Sequence, residues 1–328
     1  MGILTALGLI ALACSAQNAT LAAVGDIRLN GPVGALIDKS PTAPITGLGD
    51  ALKADIVFGN LECSITARGT KQPKTWNFRA PARNLTLLKK AGFTLVNIAN
   101  NHTWDYGQTG FLDTLAALKK YKLPYIGGGR DLKEAEKLHV IKINDLKVGF
   151  LGYTSTFPEQ AWAKANKPGV AYSHLGRLPE NVRQAKQHCD VLIVSLHGGT
   201  EIAEYPNDIQ KAFAHEAVDA GADLILEHHP HVLQPIEVYK GKPIFYSLGN
   251  FLFVSPSTAT RTTIVLKAEL SPGGVGAIEL TAFETDGGRP YPSGEEGRAR
   301  AYAALNRTGA LEKYPERFRL AVASKAAN

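Results

Sequence analysis

The feature that most constrains this chain is a repeated punctuation. Short apolar runs of strand length each stop abruptly in Gly, Asp, Asn, Glu or His. Leu21–Val24 ends in Gly25-Asp26, and 55–58 ends in Gly59-Asn60-Leu61-Glu62. Thr94–Ala99 ends in Asn100-Asn101-His102, with Asp105-Tyr106-Gly107 after it. Val191–Leu196 ends in His197-Gly198-Gly199, and 223–226 ends in Glu227-His228-His229-Pro230-His231. Runs of four to six apolar residues bounded by turn residues read as buried strands. Between them lie segments with helical spacing: 84–91, 110–123, 179–188 and 208–220. Gly92 and Gly221 stand where helix C-terminal stops are expected. Hairpins are expected at Asn144-Asp145, at Lys240-Gly241 and across Pro272-Gly273-Gly274. Early strand–helix alternation followed by hairpins predicts a mixed α/β fold, with one or two sheets flanked by helices. In such folds ligands gather at the carboxyl ends of the strands.

Composition sets limits. The 328 residues are 45% hydrophobic and 20% charged, enough for a large core. The net charge of +6 is spread along the chain, and no nucleic-acid motif is present, so no nucleic-acid partner is expected. Three cysteines, Cys14, Cys63 and Cys189, do not form a disulfide framework, and Cys63 and Cys189 read as packing residues. Residues 1–20 carry an apolar stretch, 3–13, followed by small residues. This resembles a secretory leader, or a lipoprotein-type signal with Cys14 as the lipidated residue, and the chain is expected to be exported, periplasmic or membrane-anchored. An N-terminal core helix is the alternative. One domain is expected over 21–286, with 287–328 forming a peripheral helix, 295–305, and a tail.

Five of the nine histidines fall at the polar strand ends. Polar groups at the ends of buried strands need partners. The mixture of His, Asp, Glu and Asn oxygen suits a divalent Mn, Zn or Fe ion, one or two in number. Each residue also has a blander reading. Asp26 can cap a turn, Asn100 and Asn101 can occupy left-handed turn positions, and His197 can be a hydrogen-bonded core imidazole. Alternation along a strand lets His229 and His231 share one face and points His228 away from them. Glu201 and Asp105 read equally well as solvated. Glu227 adds a carboxylate expected near the histidine pair.

The ordered blocks Gly25-Asp26, Asn60-Leu61-Glu62, Asn97-Ile98-Ala99-Asn100-Asn101-His102, His197-Gly198-Gly199, His228-His229-Pro230-His231-Val232 and Ser247-Leu248-Gly249-Asn250-Phe251 resemble the CapA family of poly-γ-glutamate capsule-synthesis proteins. The resemblance runs from about Ala22 to Phe253. It implies a four-layer α-β-β-α sandwich of the metallo-dependent phosphatase type. It further implies Asp26 as a first metal ligand and Asn60 or Glu62 at a bridging position. Asn101 would ligate through its amide oxygen, and His197, His229 and His231 would complete the shell. His102, with Asn101, would face the substrate. Two departures stand out: Arg28 replaces a histidine and Asn60 replaces an aspartate, so a single metal or an altered pair is expected. Arg28 could supply the missing positive charge and hold a carboxylate or phosphate. The resemblance implies either a metal-dependent hydrolase acting on a phosphorylated or γ-glutamyl substrate, or a non-catalytic accessory that binds an anionic polymer or a membrane-bound synthase.

Overall fold

The computed structural model describes residues 18–174, 176–313 and 318–320. The expected leader and Cys14 lie outside these residues, save that Ala19 and Thr20 already belong to the first strand. The first sheet begins with four parallel strands: β1 (Ala19–Ile27), β2 (Ile56–Leu61), β3 (Leu95–Asn97) and β4 (Tyr125–Ile126), side by side in that order. The second sheet holds β5 (His139–Ile143), β6 (Leu146–Thr154), β7 (Val191–His197), β8 (Leu224–His228), β9 (Ile236–Tyr239) and β10 (Lys242–Phe245). Within it β6, β7, β8 and β10 run parallel, and hairpins at each side add β5 and β9. The chain then returns to the first sheet. There β11 (Asn250–Leu252) pairs with the end of β1, β12 (Thr262–Ser271) lies antiparallel to β1, and β13 (Gly274–Asp286) extends the sheet. The hairpin turns fall where the sequence placed them, with Asn144, Lys240 and Gly241 at positive φ.

Alternation along the strands shows the layering directly. On β1, Leu21 and Ala23 join Phe58, Phe150, Ile193 and Leu226 in a core between the sheets. Ala22 and Val24 face the opposite way. They pack with α1 (Gly31–Lys39), α2 (Leu85–Lys90) and α3 (Gly107–Lys120) through Val33, Leu88, Phe111 and Leu118. On the far side Leu192, Val194 and Ile225 meet α4 (Leu178–Lys186) and α5 (Asp208–Ala220) through Val182 and Phe213. The fold is therefore a four-layer α-β-β-α sandwich. Helix α5 shows how local chemistry sets the boundaries: Asn207 and Gln210 form a reciprocal capping box, and Gly221 at φ +119° ends the helix.

The C-terminal segment, read from sequence as peripheral, does lie at the outer edge of the first sheet, and it also closes the core there. Strands β14 (Arg289–Pro292), β15 (Leu311–Lys313) and β16 (Phe318–Leu320) extend the sheet, and α6 (Glu295–Leu305) buries Ala301 and Leu305 in the inter-sheet layer. Cys63 and Cys189 are buried free thiols. Among the described residues no helix is long and apolar enough to cross a membrane.

The parallel strands of both sheets end at one rim, and the join there depends on a glycine. The amide of Asp26 donates to the Gly249 carbonyl at 2.9 Å, and a Cβ on Gly25 would stand 1.8 Å from that same oxygen. Backbone cannot yield as a flexible side chain can, so Gly25→Ala is expected to lower stability by about 3 kcal/mol. Urea unfolding is the check; an unchanged midpoint would contradict the close approach.

Candidate metal centre

The rim collects side chains from both sheets. Asp26 comes from β1, Asn60 from β2, Glu62 from the residue after it, and Asn101 and His102 from the turn beyond β3. His197 and His228 end β7 and β8, and His229 and His231 follow. Asp26, Asn60, Glu62, His197 and His228 have no solvent exposure.

Two ligand sets share one carboxylate. Glu62, His229 and His231 each offer a donor atom within 4.8 Å of the others, and so do Asp26, Glu62 and His197. Both oxygens of Glu62 are buried without a hydrogen-bond partner, as is Nδ1 of His229. Oε1 of Glu62 lies 3.6 Å from His197 Nε2, 3.8 Å from His231 Nε2 and 3.9 Å from His102 Nε2. A fully buried carboxylate that accepts no hydrogen bond is costly to keep. Imidazoles and carboxylates converging on it are the donor set of a borderline divalent cation. The residues present therefore fit a divalent metal.

Their protonation follows from burial and charge. Burial, helped by the neighbouring imidazoles, holds His197 well below its usual range. Burial lowers His229 to about 3 and His228 to about 4. Burial thus favours the neutral form of all three rings. Burial opposes a charge on Asp26, yet His231, His228 and the Asn60 amide hold its carboxyl below the ordinary value. Burial likewise works against a charge on His231, but Glu62 and Asp26 together raise it to about 9. Glu62 is driven well above the carboxylate range by burial and by the nearby Asp26. Glu62 and His231 are thus both shifted toward retaining a proton when no cation is bound.

The surrounding hydrogen bonds orient these groups. Asn60 Nδ2 donates to Asp26 Oδ1 at 2.8 Å and lies 2.9 Å from His197 Nδ1, while Asn97 and Asn100 donate to its Oδ1. His197 Nε2 sits 2.9 Å from Asn101 Oδ1. Asn100 Oδ1 accepts from the amides of His102 and Thr103, so it closes the turn and stays off the cluster's centre. His102 Nδ1 lies 2.7 Å from Asp105 Oδ2, and its ring stacks on Phe78 at 3.9 Å. Asp105 is fully buried and ion-paired to Lys74, whose ammonium also donates to the Asn101 carbonyl at 2.6 Å. His231 Nδ1 lies 2.9 Å from Asn250 Oδ1.

Several placements differ from the sequence reading. Asn60 reaches the cluster but presents N–H donors to it, and the shared position between the two ligand sets is held by Glu62. His229 and His231 do not meet through strand alternation: both have positive φ, +100° and +59°, so the backbone is turned after β8. His228 keeps to the alternation of β8: with Leu224 and Leu226 it faces the inter-sheet layer, outside both ligand sets, with Nδ1 3.7 Å from Asp26 Oδ1. Glu227 faces the helix layer instead and accepts from Gln210 Nε2 of α5 at 3.0 Å, remote from the pair it was expected to join. Arg28 stands in the wall of the cleft, touching none of the ligands. Glu201 is exposed. Lys74 was not found from sequence: it comes from a loop with no regular pattern.

Comparison with known proteins came to the same group. The family profile described as "Bacterial capsule synthesis protein PGA_cap" matches residues 20–255. The chain is 38% identical over 242 residues to the PGA biosynthesis protein CapA of Bacillus subtilis, covering 73% of this chain and 64% of that protein. It is 33% identical over 286 residues to the capsule biosynthesis protein CapA of Bacillus anthracis, covering 84% and 70%. The chain therefore spans about two thirds of the length of these relatives. Among solved structures, a 5'-nucleotidase precursor from Thermus thermophilus is similar with a TM-score of 0.45 and 14% identity, over 90% of this chain and 59% of that one.

Two outcomes are expected from the site chemistry. A cation must displace the retained proton, so Mn²⁺ or Zn²⁺ affinity should rise about tenfold per pH unit between pH 6 and 8, with about one proton released. Calorimetry in buffers of different ionisation enthalpy measures this; pH-independent affinity would contradict it. In metal-free protein the raised Glu62 carboxyl contributes stability at acid pH that is lost as pH climbs through its folded value. Glu62→Gln should therefore melt higher than wild type at pH 8, match it near pH 4, and gain less from added Mn²⁺.

Proposed function

Because the chain belongs to the bacterial capsule synthesis protein family PGA_cap, we propose that it is an exported, metal-dependent hydrolase serving the synthesis of poly-γ-glutamate or a related anionic envelope polymer. One observation carries the enzymatic part: the buried, unpartnered Glu62 carboxylate stands between two sets of ligating side chains. Structural ion pairs satisfy their oxygens, whereas a carboxyl group left without a hydrogen bond amid converging imidazoles is prepared for a cation. Asp26, Glu62, His197, His229 and His231 would hold Mn, Zn or Fe. When bound, such an ion supplies Lewis-acid polarisation of a phosphoester or γ-glutamyl amide and lowers the pKa of a water molecule.

The chain's own groups do the rest. His102 Nδ1 donates to Asp105, which fixes the ring and leaves Nε2 on the side of Glu62. Charged as an imidazolium, a form that burial opposes and Asp105 favours, it would pass its Nε2 proton to a leaving oxygen or nitrogen and return to the neutral Nδ1–H ring. Lys74 pairs with Asp105 and anchors the Asn101 carbonyl, so the turn carrying both Asn101 and His102 is held from one side. Asn101 Oδ1 orients His197. Wider roles, including docking to a membrane-bound synthase and attachment through the N-terminus, belong to this proposal.

With Mn²⁺-loaded protein and an aryl phosphate monoester, His102→Ala should lower kcat by a factor on the order of 10²–10⁴ with metal content and melting temperature retained. Asp105→Asn should lower kcat less and shift the pH profile. A fully metal-loaded wild type without turnover on phosphoester or γ-glutamyl amide probes would discard the hydrolase and leave a non-catalytic accessory.

A further inference from the structure

Arg28 is half-buried and has no carboxylate partner among the described residues, whereas Arg79, Arg130 and Arg289, which also lack one, are exposed. Arg68, Arg83, Arg177, Arg183, Arg300 and Arg307, all on the surface or partly so, each have a carboxylate partner at 2.5–3.1 Å. Arg28, at the cleft, has none within 4.0 Å among the described residues, and its Nε is buried without a hydrogen-bond partner. The guanidinium is instead held between two rings, with Cζ 4.3 Å from the centre of Phe78 and 4.9 Å from that of Phe253. Aromatic faces fix the plane of a guanidinium and attract its charge, but they accept none of its in-plane N–H bonds.

The same two rings carry it to the metal centre. Phe78 stacks on His102 at 3.9 Å, and Phe253 lies 4.9 Å from His231. The backbone amide of Arg28 donates to Leu252 at 2.8 Å, which fixes the base of the side chain. Room beside the head group depends on Gly31, where a Cβ would come within 3.1 Å of Nη2. A flat cation clamped between two rings, with donors that no side chain among the described residues uses, is the arrangement that binds planar or tetrahedral oxyanions through paired N–H bonds.

We infer that Arg28 is the anion receptor of this cleft, gripping a carboxylate or phosphate oxyanion of the substrate alongside the reacting group. The inference rests on the hydrolase reading for its meaning in catalysis, but its test does not. Inorganic phosphate and glutarate serve as probes, titrated calorimetrically into wild type, Arg28→Lys and Arg28→Met, each with Mn²⁺ and with chelator. Arg28→Met is expected to weaken at least one probe about tenfold or more. Arg28→Lys, which keeps charge but loses the fork, should fall between. The probe that responds shows whether phosphate or carboxylate is the natural group. Metal stoichiometry is measured in the same samples: its absence would sink the metal reading while Arg28-dependent binding in chelator still supports this one. Should Arg28→Met fail to fold, Arg28→Lys must still weaken the responding probe at least threefold with an unchanged melting temperature. Affinities within twofold of wild type for both probes, or no binding by wild type, would overturn the inference.

Discussion

A carboxylate with no hydrogen-bond partner, sealed between two sheets, is the constraint around which this molecule is arranged. Glu62 is wholly buried, and nitrogen atoms of three histidines approach one of its oxygens at 3.6–3.9 Å. One sheet alone could not supply all three rings: His102 follows a strand of the first, while His197 ends one strand of the second and His231 follows another. The four-layer architecture therefore does more than bury apolar surface. By ending both parallel strand sets at one rim, it brings the two half-sites face to face, and the Gly25–Gly249 contact lets the return strand close against Asp26 and deliver Asn250 to His231.

Backbone geometry completes what topology begins. The turned residues His229 and His231 pass the chain across the end of β8, so that the amide of His229 donates toward Asp26 at 3.3 Å while both rings enter the cleft. Non-glycine residues with positive φ carry a conformational cost that the surrounding contacts must outweigh. Here those contacts are hydrogen bonds to Asp26 and Asn250 and the packing of His231 against Phe253. Site and strain occur together, with the cost of the turn offset by the groups that the turn presents.

Much of this was legible in the residues. The polar strand ends named Asp26, Asn60, Glu62, Asn101, His102, His197, His229 and His231, and the structure gathers them. Helices 208–220 and 295–305 kept the bounds read from periodicity and caps. Other parts were not readable, for physical reasons. Helix α1 holds two glycines and a proline in nine residues, so its local preference is weak and packing of Val33 and Ile37 decides it. The short strands 311–313 and 318–320 each carry charge and exist by pairing, 318–320 with β13 and 311–313 with 318–320, a tertiary fact. Alternation placed Glu227 and His228 on opposite faces, as the structure has them, and failed from His229 on because it assumes an unbroken strand. Lys74 lies 28 residues before His102 in sequence, and only the folded chain shows that they meet.

The inter-sheet layer, described above as a core, is also a gauge. Phe58 and Phe150 stack across it at 5.7 Å, from strands whose sheets each carry one half of the ligand set. Their thickness sets how far Asp26 and Glu62 stand from His197 and His231, as a shim sets the gap between two jaws. Dense interiors transmit such spacing with little slack. The spacing of the two half-sites is thus tunable from a distance, by the volume of aromatic side chains that lie outside both ligand sets.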